Sequence, residues 1–397
     1  MPGTLETCST DKLRPDLRPI MSEVLLLCEY PTLNGGERSM LSTLDEVRAA
    51  GFVPWVVAPA QGPLADALGR LNVEVTPLDS VDPQGKRLPQ DRLRQQLARL
   101  IERRRPDLLH ANSLAMGRLA GPVADELQLP SLAHLRDIVG LSRQAIADLN
   151  RNTRLLAVSE AVRQSHAAAG LAAEKIRVLH NGVDLQRFRP RPPTGYLHRE
   201  LGLPPEAMLV GVIGQIGLRK GQDLLARAAA SLADGAIARS DLHYLIVGQR
   251  CSDKDESRRF EADLQAAAAG RLDGRLHLLG VRDDVERIMN ELTLLVHPAR
   301  QEPLGRVLLE AAAAGLPVLA TDVGGTREIF PSDSHSARLI PPDDAGALAA
   351  GLLELATDES QRIRLGAAAR RRAEEAFDIR QAAAGLVGHY RELTSQR

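Results

Sequence analysis

The sequence predicts an α/β protein built as two doubly wound parallel-sheet domains, and three observations carry that expectation. A length of 397 residues exceeds what one hydrophobic core usually serves. From residue 23 onward, short apolar runs alternate with stretches of helical spacing, the pattern of parallel strands with helices on both faces. That rhythm breaks at 189–205, RPRPPTGYLHRELGLPP, where five prolines and two glycines in 17 residues mark a linker, and it then resumes.

Taken in order, residues 1–22 mix Pro, Asp, Thr and Ser and read as a mobile tail. Expected strands of the first domain, 23–188, lie at 24–28, 53–58, 73–77, 108–110, 131–135, 155–158 and 176–179, with helical spacing between them, as in 37–50 and 93–104. The second domain, 206–376, has expected strands at 208–213, 243–247, 276–279, 294–296 and 317–320. From about 346 the chain is almost wholly helical, and 378–394 is long enough for one closing helix within 377–397.

Composition narrows the function classes. A net charge of −1 gives no basic field to draw nucleic acid or anionic membrane, and 3% aromatic residues offer few stacking platforms for bases. No apolar run reaches membrane-spanning length, and the N-terminus lacks the apolar core of a secretory signal. Three scattered cysteines (Cys8, Cys28, Cys251) suit a reducing, cytoplasmic setting and no disulfide framework or zinc site.

The most informative stretch is 297–329, HPARQEPLGRVLLEAAAAGLPVLATDVGGTREI. Glu302 and Glu310 stand on either side of a helix start, separated by the turn Pro303-Leu304-Gly305-Arg306. A helix start offers free N–H groups and a positive dipole end to a phosphate, and Gly305 has no side chain to block approach. Glu310 lies between Leu309 and a run of alanines, so its carboxylate needs a partner. Such a pair can hold a sugar nucleotide, Glu302 by the sugar hydroxyls and Glu310 by the ribose. In GQIGLRKGQD, 214–223, a strand ends in a glycine turn, with Gly214, Gln215, Arg219 and Lys220 as candidate diphosphate contacts and Lys220 expected to begin a helix. In LLGVRDDV, 278–285, Asp283 or Asp284 is the candidate helix cap. Asp253-Lys254-Asp255 has the form of a metal-holding pair of acids, yet it opens a helix within a charge run and reads as solvated.

In the first domain, Asn34-Gly35-Gly36-Glu37-Arg38 follows the first strand and lets backbone approach a ligand at Gly35 and Gly36. It lacks the third glycine of a dinucleotide fingerprint, and VVAPAQG offers no acid at the end of the second strand. His134, Arg136 and Asp137 cluster at one strand end, and His110 and Asn112 at the preceding one. Groups at carboxyl ends of strands in open α/β sheets face the ligand crevice. His134 is thereby a candidate for the crevice, with His110, Asn112, Arg136 and Asp137 as candidates for the acceptor side.

With its Glu, seven residues, Glu before a strand and a Gly-Gly turn, 302–328 resembles the signature of retaining glycosyltransferase family 4, the glycosyl transferases group 1 of GT-B fold. Likeness extends from residue 23 to the end, strongest at 214–221 and 302–328 and loosest at 62–105. The resemblance implies two Rossmann-like domains facing across a cleft, with the last helix crossing back onto the first domain. It also implies sugar transfer from a nucleoside-diphosphate sugar to a small-molecule, glycan or lipid-linked acceptor, with retention at the anomeric carbon and neither metal nor cofactor. Glu302, Lys220 and His134 then take the catalytic positions. Leu304, Gly305 and Arg306 join Gly35, Gly36, Gly214, Gln215, Arg219, Val281, Arg282 and Glu310 around the donor. Any contact with a membrane is peripheral. The family's motif carries arginine where this chain has Gln215, and Arg219 is the residue placed to supply the missing charge. A GT-B epimerase or hydrolase, a non-catalytic sugar-nucleotide binder and a nicotinamide oxidoreductase remain as alternatives.

Overall fold

The computed structural model describes residues 21–82, 84–234 and 241–395. Apart from its last two residues, the expected tail at 1–22 lies outside the described residues, as do the final two residues of the closing segment. The first sheet consists of β1 (Ser22–Leu27), β2 (Phe52–Ala58), β3 (Glu74–Pro77), β4 (Leu108–Ala111), β5 (Ser131–Leu135), β6 (Arg154–Ala157) and β7 (Ile176–Val178). Its order is β3-β2-β1-β4-β5-β6-β7, with every neighbouring pair parallel. The second sheet contains β8 (Met208–Ile213), β9 (Leu242–Val247), β10 (Leu276–Gly280), β11 (Leu294–His297), β12 (Val318–Thr321) and β13 (Arg338–Ile340). Its order, β10-β9-β8-β11-β12-β13, repeats the same winding, again all parallel.

Strand β13 is not among the expected strands. It has three residues on the sheet edge and runs straight into Pro341-Pro342, too short for a period to register. The central strands β4 and β5 are buried along their whole length, as strands covered on both faces must be. For that reason His110 on β4 and His134 on β5 sit inside the protein.

The linker and the closing helix are both packed against the domains. The proline-rich segment is docked and not free: helix Tyr196–Leu201 buries Leu197, and the Glu291 carboxylate accepts from Thr194 N, Thr194 Oγ1 and Gly195 N at 2.6, 2.7 and 2.8 Å. Farther on, helices Ala345–Thr357 and Glu359–Ala376 cover the second domain's flank. The chain then passes Val183, where Val183 N donates to Phe377 O at 2.8 Å and Ile379 N to Val183 O at 3.0 Å. Gly182 makes this crossing possible, since a Cβ there would lie 2.5 Å from Ile379 Cα. Asp378 caps the final helix, Ile379–Thr394, by accepting from Arg380 N. That helix buries Leu386, Val387, Tyr390 and Leu393 in one apolar cluster with Val24, Leu44 and Phe52. Each such side chain contributes about 1.5–3 kcal/mol on burial, so the last helix of the chain is structurally part of the first domain.

Candidate functional site

Both sheets reverse direction of winding at one point, between β1 and β4 and between β8 and β11. Ligands of open parallel sheets bind outside the carboxyl ends of the strands at such switch points. The two carboxyl edges face each other. Ser159 Oγ, just after β6, donates to Pro303 O at 2.5 Å, and the Glu328 carboxylate accepts from Glu160 N and Ala161 N at 2.8 and 2.9 Å. His180 Nε2, after β7, donates to Glu328 Oε2 at 2.9 Å. Ser159, which also accepts from Val162 N at 3.0 Å, therefore caps its own helix and ties the domains.

On the second domain's side the centre is a buried cluster. Lys220 Nζ donates to Glu302 Oε2 at 2.5 Å, and His297 Nε2 donates to the same oxygen at 2.8 Å. Glu302 is 5% exposed. Burial alone would raise its pKa, but the Lys220 charge and the His297 hydrogen bond outweigh that and hold the carboxyl well below the usual carboxylate range. Lys220 does not begin a helix as expected. It ends a short 3-10 turn, Leu218–Lys220, and the helix starts at Gln222 after Gly221 at φ 69°. A Cβ on Gly221 would lie 1.9 Å from Pro298 O, so glycine lets this turn sit against the end of β11. His297, the last residue of β11, was not among the expected site residues, although its position at a switch point was the available signal.

The loop bearing Glu302 rests on the Gly324-Gly325 turn. Gly325 N donates to Glu302 O at 3.0 Å, and a Cβ on Gly324 would fall 1.9 Å from Glu302 O. The glycine pair is thus a seat for the Glu302 loop. Gly305, at φ 103°, precedes helix Arg306–Ala313 and leaves its start without a side-chain cap; Leu308 N donates to Gly305 O at 3.0 Å, and the N–H groups of Arg306 and Val307 are the ones that point out of the helix start. Leu304 is 1% exposed and offers a ligand only its backbone. On the next turns Arg306 Nε donates to Glu310 Oε1 at 2.8 Å, and Arg306 Nη1 reaches Ser39 Oγ of the first domain at 3.5 Å. Glu310 has the partner its setting demanded, and Arg306 spans the cleft.

Around the rim, Gly214 takes φ 145°, and the Gln215 and Arg219 side chains are exposed. Arg219 Nη1 donates to Gln301 O at 3.3 Å, close to the Glu302 loop, so its charge lies at the same rim. Val281 is 61% exposed, and the Arg282 guanidinium is engaged with Glu200 and Asp284, which leaves Arg282 its backbone for a ligand. Asp284 holds the N-cap position of helix Val285–Glu291 without a side-chain cap bond; its carboxylate accepts from Arg282 and from Tyr196 Oη instead. Asp253 is exposed and paired with Arg250. Among the described residues no three His, Cys, Asp or Glu side chains gather closely enough to hold a metal ion.

In the first domain the expected acceptor-side residues separate. His110 and Asn112 are each 1% exposed; His110 lines a pocket with His134, Arg136 and Leu386 of the last helix. His110 spends Nδ1 on Tyr390 Oη at 2.6 Å and Nε2 on His134 Nδ1 at 2.8 Å. Arg136 turns inward, with Nε donating to Asn112 O, Nη2 to Asn112 Oδ1 and Nη1 to Asn181 Oδ1 at 2.9, 2.8 and 3.1 Å. Burial pulls the Arg136 guanidinium down to about 10. Asp137 instead faces solvent and gives its carbonyl to His166. Gly35 and Gly36 differ as well: a Cβ on Gly35 meets nothing within 4 Å, whereas one on Gly36 would lie 3.1 Å from Arg136 Cδ. Gly36→Ala should therefore displace the arginine and lower turnover by about tenfold or more, while Gly35→Ala leaves the stability of the ligand-free protein near the parent value; thermal unfolding of both variants, with steady-state kinetics of Gly36→Ala, checks this.

Comparison with known proteins agrees with this geometry. The model of "Glycosyl transferases group 1" matches residues 196–372, and that of "Glycosyltransferase Family 4" matches residues 33–187. With one match in each domain, the chain belongs to the GT-B glycosyltransferases of family 4. A D-inositol 3-phosphate glycosyltransferase of Streptomyces bingchenggensis is 30% identical over 72% of this chain and 66% of its own length. A GDP-mannose-dependent alpha-mannosyltransferase of Corynebacterium glutamicum is 24% identical over 79% of this chain and 75% of its own. HepE of Anabaena, solved in complex with UDP-glucose, superposes with a TM-score of 0.82 at 22% identity, over 93% of this chain and 99% of that one. The chain spans two thirds or less of the length of the first of the curated relatives it matches.

Proposed function

We propose that this protein is a retaining, metal-independent glycosyltransferase that moves a sugar from a nucleoside-diphosphate sugar to a hydroxyl acceptor. The observation that carries the reading is the buried Lys220–Glu302–His297 cluster beside the uncapped start of helix Arg306–Ala313. A diphosphate at the helix start meets free N–H groups and the Lys220 charge. Glu302 accepts from hydroxyls of the transferred sugar, and Glu310 from the ribose. His134 stands across the cleft. Glu302 is held by Lys220 and His297 and Glu310 by Arg306, and both are assigned to hydroxyls of the donor, so neither is assigned as a nucleophile. The acceptor oxygen therefore bonds to the anomeric carbon on the face from which the phosphate oxygen departs, and the acceptor's proton passes to that departing oxygen. Lys220 and the helix start stabilise the charge developing on the diphosphate.

The acceptor is a small molecule, a glycan or a lipid-linked sugar met in the cytoplasm. No helix among the described residues is long and apolar enough to cross a membrane. Because the relatives name different donors, GDP-mannose for one and UDP-glucose for another, the test is a panel of UDP-, GDP- and ADP-sugars. A bound donor raises the melting temperature, by about 2.7 kcal/mol of stabilisation at a hundredfold excess over Kd. Acceptor-dependent release of the nucleoside diphosphate is then expected. Consumption of donor without any acceptor would instead mark an epimerase or hydrolase. Full activity should persist in excess EDTA; loss that magnesium or manganese restores contradicts metal independence.

A further inference from the structure

The chain of side chains running from the last helix to the cleft has a direction, and one residue fixes it. His134 Nδ1 lies 2.8 Å from His110 Nε2 and 3.2 Å from Arg136 Nη2. A guanidinium has no lone pair to offer. Its contact with His134 Nδ1 is a hydrogen bond only if that nitrogen is unprotonated, and a proton there would point into an arginine N–H. His134 Nδ1 is then the acceptor for His110 as well, so His110 carries its proton on Nε2. His110 Nδ1 must in turn accept from Tyr390 Oη at 2.6 Å. Both the phenol and the two rings are buried, and burial together with the Arg136 charge pushes His110 down to about 3 and His134 well below the usual imidazole value.

We propose that Tyr390, His110 and Arg136 are positioning residues that hold His134 as a neutral imidazole with its only proton on Nε2, so that it meets ligand as a hydrogen-bond donor and never as a base. The sense runs one way throughout: Tyr390 O–H to His110 Nδ1, His110 Nε2–H to His134 Nδ1, and Arg136 N–H to that same atom. His134, His180, Arg136 and Ser39 line one pocket with Ile379 and Leu386 of the closing helix, which places the relay beside the cleft. Tyr390 brings the far end of the sequence into this control. Its ring packs edge-on against Phe52 at 5.3 Å, so the hydroxyl is fixed in place by packing that a phenylalanine would keep. The inference rests on the functional reading only for what the donor meets; the tautomer itself is a property of the free protein.

The test is nitrogen NMR of the full chain with 15N-labelled histidine rings, with His134 assigned by its loss in His134→Gln. His134 should show a bare, pyridine-type Nδ1 and a protonated, pyrrole-type Nε2 at neutral pH, without donor present. A proton on Nδ1, or an imidazolium, overturns the proposal whatever the protein's activity. In the second arm, Tyr390→Phe and His110→Leu should each lower kcat about tenfold while the donor KM stays near the parent value. His110→Gln, which keeps an N–H directed at His134, should retain most of kcat. Parent kcat in both Tyr390→Phe and His110→Leu also overturns it. Absence of transfer with every donor and acceptor, beside the expected tautomer, would count against the functional reading alone.

Discussion

Lys220→Ala should lower kcat/KM for the donor by at least about tenfold, or 1.4 kcal/mol, and should also destabilise the fold. The stability loss follows from the pairing: Lys220 and Glu302 side chains are 15% and 6% exposed and 2.5 Å apart. Removing one partner of a buried pair leaves an uncompensated charge and costs about 3–5 kcal/mol. The Glu302 carboxylate keeps His297, so the low end of that range is expected. Joint replacement by Lys220→Met and Glu302→Gln separates the two effects, since it removes both charges together. The double variant should regain much of the stability and none of the turnover. Urea unfolding beside initial rates reads both. Double-variant turnover near the parent value would mean that the pair serves only the fold.

Gly324→Ala is expected to be nearly as damaging, although the residue bears no functional group. Gly324 has φ 52° and its Cβ would fall 1.9 Å from Glu302 O. The left-handed backbone alone costs a non-glycine residue roughly 1–2 kcal/mol. The clash is with backbone, so the loop that carries Glu302 has to move, and a displacement of about 1 Å at a positioning residue can cost 100-fold in rate. Gly388→Ala, in the last helix where a Cβ meets nothing within 4 Å, should instead stabilise by about 0.5–1 kcal/mol. Thermal unfolding of both variants, with kcat/KM for the first, distinguishes a seated loop from a merely flexible turn.

Much of this was legible in the sequence because it is local. Alternation of apolar runs gave the parallel sheets, and Glu302, the Gly305 turn and Glu310 announced a helix start that lacks a cap. What stayed hidden depends on contacts far apart in the chain. Lys220 and Glu302 are separated by 82 residues, and His110 and Tyr390 by 280; no spacing rule joins them. The Gly324-Gly325 pair reads as a turn that opens a helix, and its role as the seat of the Glu302 loop requires knowing what passes above it. Lys220 looked like a helix start because nothing in the spacing shows that Gly221 takes a left-handed φ, which ends a short 3-10 turn before the helix begins at Gln222. Strand β13 was too short to show a period. The burial of His110 was hidden because the helix that packs against it comes from the opposite end of the chain.

The two glutamates carry the central claim, and calorimetric titration of the bare nucleoside diphosphate into Glu302→Ala and Glu310→Ala tests it most directly. Glu310 is held by Arg306 through one oxygen, which leaves the other for a ribose hydroxyl, and losing a hydrogen bond to a charged acceptor costs about 1.5–3 kcal/mol. Glu310→Ala should therefore weaken nucleoside-diphosphate binding by that amount, while Glu302→Ala leaves it nearly intact and loses discrimination between donor sugars together with much of kcat. Weakened binding in Glu302→Ala with unchanged binding in Glu310→Ala would contradict the assignment of the sugar to Glu302 and the ribose to Glu310.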